Sequence, residues 1–453
     1  MNLHTKLLAR EASGRPIRVG LIGAGKFCTM FLAQARRTPG MHVVAICDLD
    51  VARARAALTS AGWSAESFAT DTIGAALKTR RVHVTPDADV LFSLPELDVV
   101  IEATGDAKAG IRHALKAFAH GKHVVMVTVE ADAAVGPLLA RRAAAANVLY
   151  SLAWGDQPAL ICDHVDWARA CGFEVVSAGK GTRYHPNFHQ STPDTVWKNF
   201  GIAAEVAMRG GMNPKMFNSF IDGSKSAVEM TAVCNATGLV PQPDGLSFPP
   251  SSVYDLAAVC KPKAAGGLLA IGGTTEVVSS LYRDGTAVAN HLQMGTFVVV
   301  KGDSDYVRHC AEEYNFLPDE TFEHMALYRP LHFIGLELGI SVASIALRGE
   351  VTGVPTGFRS DVVATAKRDL AAGEMLDGEG GYCVWGKQTP AARSLAEGLL
   401  PLGLAQGVAL KNPVKEGEAL RWSDVGIDLS DEAVRVRREM EALFAGEEAR
   451  AAG

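Results

Sequence analysis

The run IRVGLIGAG, residues 17–25, is followed by a helix-compatible stretch, KFCTMFLAQARRTP, and then by a second apolar run, MHVVAICD, that ends on Asp48. An apolar run of this length closed by glycines reads as a strand buried on both faces. Strand, glycine turn, helix, strand is a βαβ unit, and its right-handed crossover makes the two strands parallel. The amino-terminal part of the chain is thereby restricted to an open α/β sheet. VTPD, DVVIEATG, KHVVMVTVE and VLYSLAWGDQ continue the pattern as strands, with helices predicted over about residues 107–120 and over GPLLARRAAAANV. The whole predicts a Rossmann-type, doubly wound parallel sheet over residues 1–160, with an insertion in the long segment 51–95.

Beyond residue 160 the pattern changes. FEVVSAGKGT, TTEVVSSLYRDG and GTFVVVKGD read as strands, separated by one helical stretch, SFIDGSKSAVEMTAVCNATG, and a Pro/Gly-rich loop, LVPQPDGLSFPPSS. These predict an α+β substrate domain over 161–358. Its return helix, 330–347, is apolar on nearly every face and is expected in a domain or subunit interface. Residues 359–430 form a third, smaller unit in which RDLAAGEML and NPVKEGEAL resemble each other as turn plus strand. The tail, 431–453, is charged and helix-prone and is expected to be exposed or packed in an interface.

With 44 Lys and Arg against 50 Asp and Glu, the net charge is −6, which does not suit a nucleic-acid binder. Small molecules or further copies of the chain are the expected partners. The longest apolar stretch, Phe333 to Leu347, is interrupted by Glu337 and falls short of the ~20 residues that span a bilayer. The start of the chain is charged where a signal peptide is apolar, and the 8 cysteines are scattered without a C-x-x-C pair. A cytoplasmic protein with reduced thiols is expected. No G-x-S-x-G motif supports nucleophilic hydrolysis.

The turn Gly23, Ala24, Gly25, Lys26, Phe27 opens the first helix, where backbone N–H groups and close approach suit a pyrophosphate. Cys28 stands where a third glycine would complete the fingerprint, but the strand–helix–strand context and Asp48 point to a nicotinamide dinucleotide site. Asp48 suits a ribose 2′-hydroxyl and so NAD, whereas Arg53 and Arg55 suit a 2′-phosphate and so NADP. Thr104 and Gly105 follow one predicted strand, and Thr128 and Glu130 end the next, all at the carboxyl edge where such sheets bind ligands. Glu130 reads either as a catalytic or metal-binding carboxylate or as a helix-capping acid.

Lys225 and Glu229 are four apart, with Asp222 one turn earlier, on a helix otherwise small and apolar. Charges in that setting are costly to bury unless paired or used, which makes the three catalytic candidates. GKGTRYHPNFHQSTPDTVWKNFG supplies further polar groups. A Gly-Lys-Gly turn can offer N–H groups and an ammonium to a phosphate, so Lys180, Arg183, Lys198 and Lys215 are phosphate candidates, with Asp194 beside them. His185 and His189 form a metal pair only on a helix, which Pro186 opposes.

VGLIGAGKF, VVIEATG, GKHVVMV, SLAWGDQPA and NPKMFNSFIDGSKSAVEM together resemble the homoserine-dehydrogenase-related oxidoreductases that carry a carboxy-terminal SAF domain. Within that group the chain is similar to the DXR-like, second type of 1-deoxy-D-xylulose 5-phosphate reductoisomerase. The likeness runs from about residue 15 to 426, and LPLGLAQGVALK looks like part of an SAF β-clip. It implies a cytoplasmic homodimer or homotetramer built through the middle domain. It also implies NADPH as reductant and a phosphorylated substrate that is rearranged to 2-C-methyl-D-erythritol 4-phosphate for isoprenoid synthesis.

Such a reaction needs a base and an electrophile for the developing enolate, roles that fall to Glu229 or Asp222 and to Lys225. A divalent cation, Mg²⁺ or Mn²⁺, would serve equally as electrophile, with Glu130, Asp156 and Asp194 as candidate oxygen ligands. Homoserine dehydrogenases carry a lysine where this chain has Glu130, and an acid before a lysine where it has Lys225 before Glu229. Unchanged homoserine oxidation is therefore not expected. The alternatives are a dehydrogenase of another sugar phosphate, branched sugar acid or homoserine-like substrate, and a non-catalytic cofactor sensor.

Overall fold

A computed structural model describes residues 2–209 and 211–451, with side chains to residue 447. It divides into two units, Met1–Leu160 with Phe333–Val354, and Ile161–His332 with Pro355–Gly453.

In the first unit, β1 (Ile17–Ile22), β2 (Met41–Cys47), β3 (His83–Thr85), β4 (Val99–Glu102), β5 (His123–Met126) and β6 (Tyr150–Leu152) form one sheet in the order β3-β2-β1-β4-β5-β6. Every pairing is parallel, so the predicted doubly wound α/β architecture is present. The order reverses between β1 and β4, which opens a crevice at their carboxyl ends. Helix α1 (Lys26–Ala35) leaves β1 and α2 (Val51–Ser60) leaves β2. Helix α3 (Ala107–Ala119) is started by Asp106, whose Oδ1 accepts from Ala109 N at 2.7 Å.

Two expectations change here. Strand β5 stops at Met126, and α4 (Val129–Ala145) begins at once, seven residues before the predicted start at Gly136. Thr128 therefore caps a helix, and Glu130 lies in its first turn instead of ending a strand. The second change concerns the segment 330–347, which is helical only as Gly339–Arg348. It packs on the parallel sheet, with Leu338, Val342, Ala343 and Ile345 in one core with Val19, Leu21 and Ile101. Its apolar faces thus belong to the dinucleotide-binding unit and not to the middle domain.

In the second unit, β7 (Glu174–Thr182), β8 (Thr274–Ser279), β9 (Thr296–Lys301) and β10 (His324–Arg329) form a mixed sheet in the order β10-β9-β7-β8. The single helical stretch predicted between them is two helices, α5 (Pro214–Ile221) and α6 (Ser224–Thr237). The break falls at Asp222-Gly223, where Asp222 Oδ1 accepts from Ser224 N at 2.9 Å.

The segment predicted as a separate third domain lies in the same unit. Strands β11 (Ser360–Ala366) and β13 (Val384–Pro390) pair antiparallel, and β12 (Met375–Leu376), β14 (Val408–Leu410) and β15 (Val425–Gly426) form a second small sheet. The two resembling turns pair with each other, Leu370 N to Val414 O at 2.9 Å and Val414 N to Leu370 O at 3.0 Å.

The charged tail is helix α7 (Glu432–Ala451), and one side of it is core. Val434 and Met440 are buried, and Arg437 is wholly buried against Asp361 of β11, with Nη2 2.5 Å from Oδ2. Ser394 and Glu441 complete the satisfaction of those charges. Removing one member of such a pair leaves an uncompensated buried charge, which typically costs about 3–5 kcal/mol. Asp361→Ala is expected to lower the urea-unfolding free energy by that order, while Asp361→Leu combined with Arg437→Met recovers most of it.

Candidate active site

Gly23 follows β1 with φ +95°, and a Cβ there would meet the Ala103 carbonyl oxygen at 2.5 Å. The turn therefore passes against the end of β4, at the mouth of the crevice, where only glycine fits. Gly25 caps α1, and a Cβ on it would meet nothing within 4 Å, so the helix amino terminus opens on free space. Lys26 and Phe27 form the first turn of α1. These features fit the pyrophosphate of a dinucleotide at a helix amino terminus.

Asp48, just beyond β2, is buried, and both of its oxygens are engaged. Oδ2 accepts from Ala24 N at 2.7 Å, and Oδ1 accepts from Asp50 N at 2.8 Å and from the Arg53 guanidinium at 2.6 Å. Burial pushes the Asp48 carboxyl up, but Arg53 and the two backbone donors outweigh it and hold it below its ordinary value. Arg53 remains more than half exposed, with 58% of its side chain open to solvent.

At the end of β4, Glu102, a residue not among the candidates above, is wholly buried. Its Oε1 accepts from Thr104 Oγ1 at 2.6 Å and lies 3.2 Å from His113 Nδ1, while Oε2 has no partner among the described residues. Thr128 Oγ1 accepts from Gly105 N at 3.0 Å, tying the ends of β4 and β5 together. The signal was available in VVIEATG: an acid closing an apolar strand at the carboxyl edge. One turn into α4, Asp132 is also wholly buried, and Tyr150 Oη donates to its Oδ1 at 2.8 Å. Burial pushes this carboxyl up to about 7, against the lowering effect of the Tyr150 hydroxyl.

In the second unit, Glu229 of α6 is buried and accepts from the ammonium of Lys180, itself buried on β7. Lys225 lies at the opening of the same helix and is half-buried. Asp222 stands in the break before that helix, not on it, and pairs with Lys367 at 2.8 Å. Lys367 also donates to the Ser191 and Gly381 carbonyls at 2.6 and 2.7 Å, so this pair clamps three segments together.

Three of the four predicted phosphate candidates are engaged by other groups. Gly179-Lys180-Gly181 is no turn but lies within β7, near its carboxyl end. A Cβ at Gly179 would meet the Glu276 carbonyl oxygen at 1.7 Å, and one at Gly181 the Leu292 carbonyl oxygen at 2.0 Å. The glycines allow close neighbouring backbone, and the lysine between them is held by Glu229. Arg183 Nε donates to the Asn199 carbonyl at 2.8 Å, Lys215 donates to the Asp377 carbonyl, and Lys198 is exposed. Asp194 is exposed and accepts from Tyr382 Oη at 3.0 Å.

His185 caps a short 3-10 turn, Pro186–Gln190, that contains His189, and the two have separate partners, Arg283 O for the first and Asp222 O and Tyr184 Oη for the second. Burial pushes His189 below its ordinary value, which favours a neutral ring. Among the described residues no three His, Cys, Asp or Glu side chains are grouped to hold a metal ion. None of the described helices is long and apolar enough to cross a membrane.

Residues 17–127 match the family model described as an oxidoreductase family, NAD-binding Rossmann fold, and residues 155–338 match that of the oxidoreductase DRL catalytic domain. Fold and models together define the class: an NAD(P)-dependent oxidoreductase. A search of curated proteins gives no significant match.

Among solved structures, the chain is similar to a homoserine dehydrogenase from Thiobacillus denitrificans, at 18% identity over 73% of this chain and 74% of that one, with a TM-score of 0.43. It is similar to an oxidoreductase from Agrobacterium radiobacter in complex with NAD+, L-tartaric acid and magnesium, at 19% identity over 37% of this chain and 44% of that one, TM-score 0.27. A myo-inositol dehydrogenase from Lactobacillus casei matches at 17% identity over 40% and 50%, TM-score 0.29. The chain thus spans under half of the Agrobacterium radiobacter relative's length.

Asp132 gives a pH prediction. An acid with a raised folded-state value is protonated in the native state while the unfolded chain ionises above about 3.9. Its contribution to stability is complete at low pH and is lost as pH rises toward about 7. Asp132→Asn keeps the acceptor for Tyr150 and removes the titration. The melting temperature of the variant relative to wild type is expected to climb between pH 4 and pH 7 and then level. A constant difference across that range would refute the buried titration.

Proposed function

We propose that this chain is an NADPH-dependent reductoisomerase acting on 1-deoxy-D-xylulose 5-phosphate and releasing 2-C-methyl-D-erythritol 4-phosphate. The observation that carries the reading is the buried Lys180–Glu229 pair, set inside the segment that matches the DRL catalytic domain. The carboxy-terminal segment as an SAF-type unit, and a homo-oligomer formed through the middle domain, belong to the same reading.

The rearrangement breaks one carbon–carbon bond by a retro-aldol step and forms another by an aldol step. A carboxylate must take the proton of the substrate hydroxyl whose carbon leaves, and a cation must face the oxygen that becomes the enolate. Glu229 suits the first task. The adjacent Lys180 ammonium donates to that carboxylate, so the two opposite charges sit side by side away from water. Lys225, half-buried at the opening of the same helix, suits the second task, which a divalent cation would serve equally. A nicotinamide dinucleotide held at the Gly23–Phe27 turn would supply the hydride for the reduction of the rearranged aldehyde.

For the cofactor, the reading favours NADPH. Both Asp48 oxygens are already occupied by backbone N–H groups and Arg53, so the carboxylate is turned from a ribose diol toward its own loop, while the Arg53 guanidinium stays accessible to a 2′-phosphate.

The test is NADPH consumption with 1-deoxy-D-xylulose 5-phosphate, with and without Mg²⁺ or Mn²⁺. Wild type should turn over, and Glu229→Gln and Lys225→Ala should each lose roughly 10²–10⁴-fold in kcat, the size of a general acid–base contribution. Arg53→Ala should raise the KM for NADPH and leave that for NADH nearly unchanged. Tight NADPH binding without turnover would remove this substrate while keeping the oxidoreductase class.

A further inference from the structure

The chain re-enters the first unit through residues 333–338, and this segment lies against the dinucleotide turn. Gly335 has φ +68°, and a Cβ there would meet the Phe27 carbonyl oxygen at 2.6 Å and Met30 Cβ at 3.1 Å, so it rests on the first turns of α1. Leu338 then enters one core with Ile101 of β4 and Val125 of β5. The loop after β6 is tied to the same segment. Trp154 Nε1 donates to Glu337 Oε2 at 3.0 Å, and Phe333 N donates to Glu337 Oε1 at 2.7 Å. Trp154 N donates to Ser341 Oγ at 2.7 Å, on the helix Gly339–Arg348. The segment matched as NAD-binding, 17–127, contains none of these residues except Phe27, Met30 and the core strands.

This piece carries apolar surface that the core does not use. Phe333 is 54% and Ile334 36% exposed, and Trp154 is half-buried. Its place fits one half of the cofactor. A doubly wound sheet holds a dinucleotide across the point where the strand order reverses, with one nucleotide on each side. The β2 side, with Asp48 and Arg53, takes the adenosine half, and the pyrophosphate sits at the amino terminus of α1. The nicotinamide half therefore falls on the side of β4, β5 and β6. Residues 333–338 and Trp154 join the first turn of α1 to the end of β6, the two borders of that side. A dihydronicotinamide ring is flat and uncharged, and an indole or branched aliphatic face suits it.

We propose that residues 333–338 and Trp154 form the wall against which the nicotinamide half of the dinucleotide binds. Ile334 and Trp154 supply the apolar face. Glu337 is a positioning residue, which fixes the indole through its Nε1–H and the segment through the Phe333 N–H. This wall serves any NAD(P)-dependent reaction of the chain, so it stands on the oxidoreductase class and is independent of the substrate proposed above.

The test is fluorescence titration of the full chain with NADPH and NADH, alongside calorimetric titration with ADP-ribose and its 2′-phosphate, which lack only the nicotinamide. Ile334→Ser and Glu337→Ala should weaken the dinucleotide that wild type binds by about tenfold, while its nicotinamide-free analogue stays within about twofold of wild type. Ile334→Leu, which keeps the apolar face, should bind both as wild type does. The surface variant Ile334→Ser carries the result if Glu337→Ala fails to fold, as judged by its melting curve. Unchanged dinucleotide binding in Ile334→Ser, or an equal loss for dinucleotide and analogue, would overturn the wall. Failure of wild type to bind either dinucleotide would overturn the cofactor reading and the wall with it.

Discussion

Helix α6 is buried along almost its whole length, yet half of its sequence, SKSAVEMTAVCNAT, is polar. In a buried helix every such group must find a partner, because an unpaired one forfeits its hydration without return. The partners come from two directions. Glu229 takes Lys180 of β7, and Cys234 Sγ lies 3.2 Å from Thr275 Oγ1 of β8, which fixes the helix on the mixed sheet. Ser224 Oγ accepts from Gly386 N at 2.8 Å, Thr231 Oγ1 lies 2.7 Å from Ser360 Oγ, and Asn235 Oδ1 accepts from Arg359 N and Ser360 N. These contacts fix β11 and β13 on the opposite side. That double requirement explains why the carboxy-terminal strands and the middle sheet make one unit although they read as separate domains.

The parallel sheet was legible because its determinants are local. A strand buried on both faces must be apolar throughout, and a glycine turn that meets a neighbouring carbonyl leaves its mark within a few residues, as IRVGLIGAG does. The carboxyl-edge acid Glu102 was legible in principle but was masked by the run of attention-drawing residues after it, Thr104 and Gly105. The helix Gly339–Arg348 was recognised as buried, but no pattern within it tells which sheet covers it. Its partners, Val19 and Ile101, are over two hundred residues away in the chain.

The misread segments share a cause. Gly-Lys-Gly can be a phosphate-binding turn or a strand squeezed between two others, and only the carbonyls of Glu276 and Leu292 decide it. Lys215 and Arg183 look like free cations in sequence, but long-range backbone carbonyls occupy them. The tail DEAVRVRREMEALF hides its core face because the largest wholly buried side chain in it is an arginine. A guanidinium can be buried when a carboxylate such as Asp361 meets it bidentately, and hydropathy alone does not record that.

The same physics separates positioning from chemistry among the buried charges. Lys367 spends its donors on Asp222 and on two backbone carbonyls, and Arg437 spends its own on Asp361 and Glu441, so these cations are consumed by the fold. Among the described residues Lys180 is paired with one carboxylate, on a helix otherwise packed with small residues, and the pair sits where the chain has kept the backbone on both sides free of side chains. A buried ion pair is weak evidence for stability, because a well-packed apolar pair often does as well. What an apolar pair cannot do is set a carboxylate and an ammonium side by side away from water, and the proposed chemistry is placed at Glu229 because the Lys180 ammonium is given to that carboxylate, whereas Lys367 divides its donors between Asp222 and two backbone carbonyls.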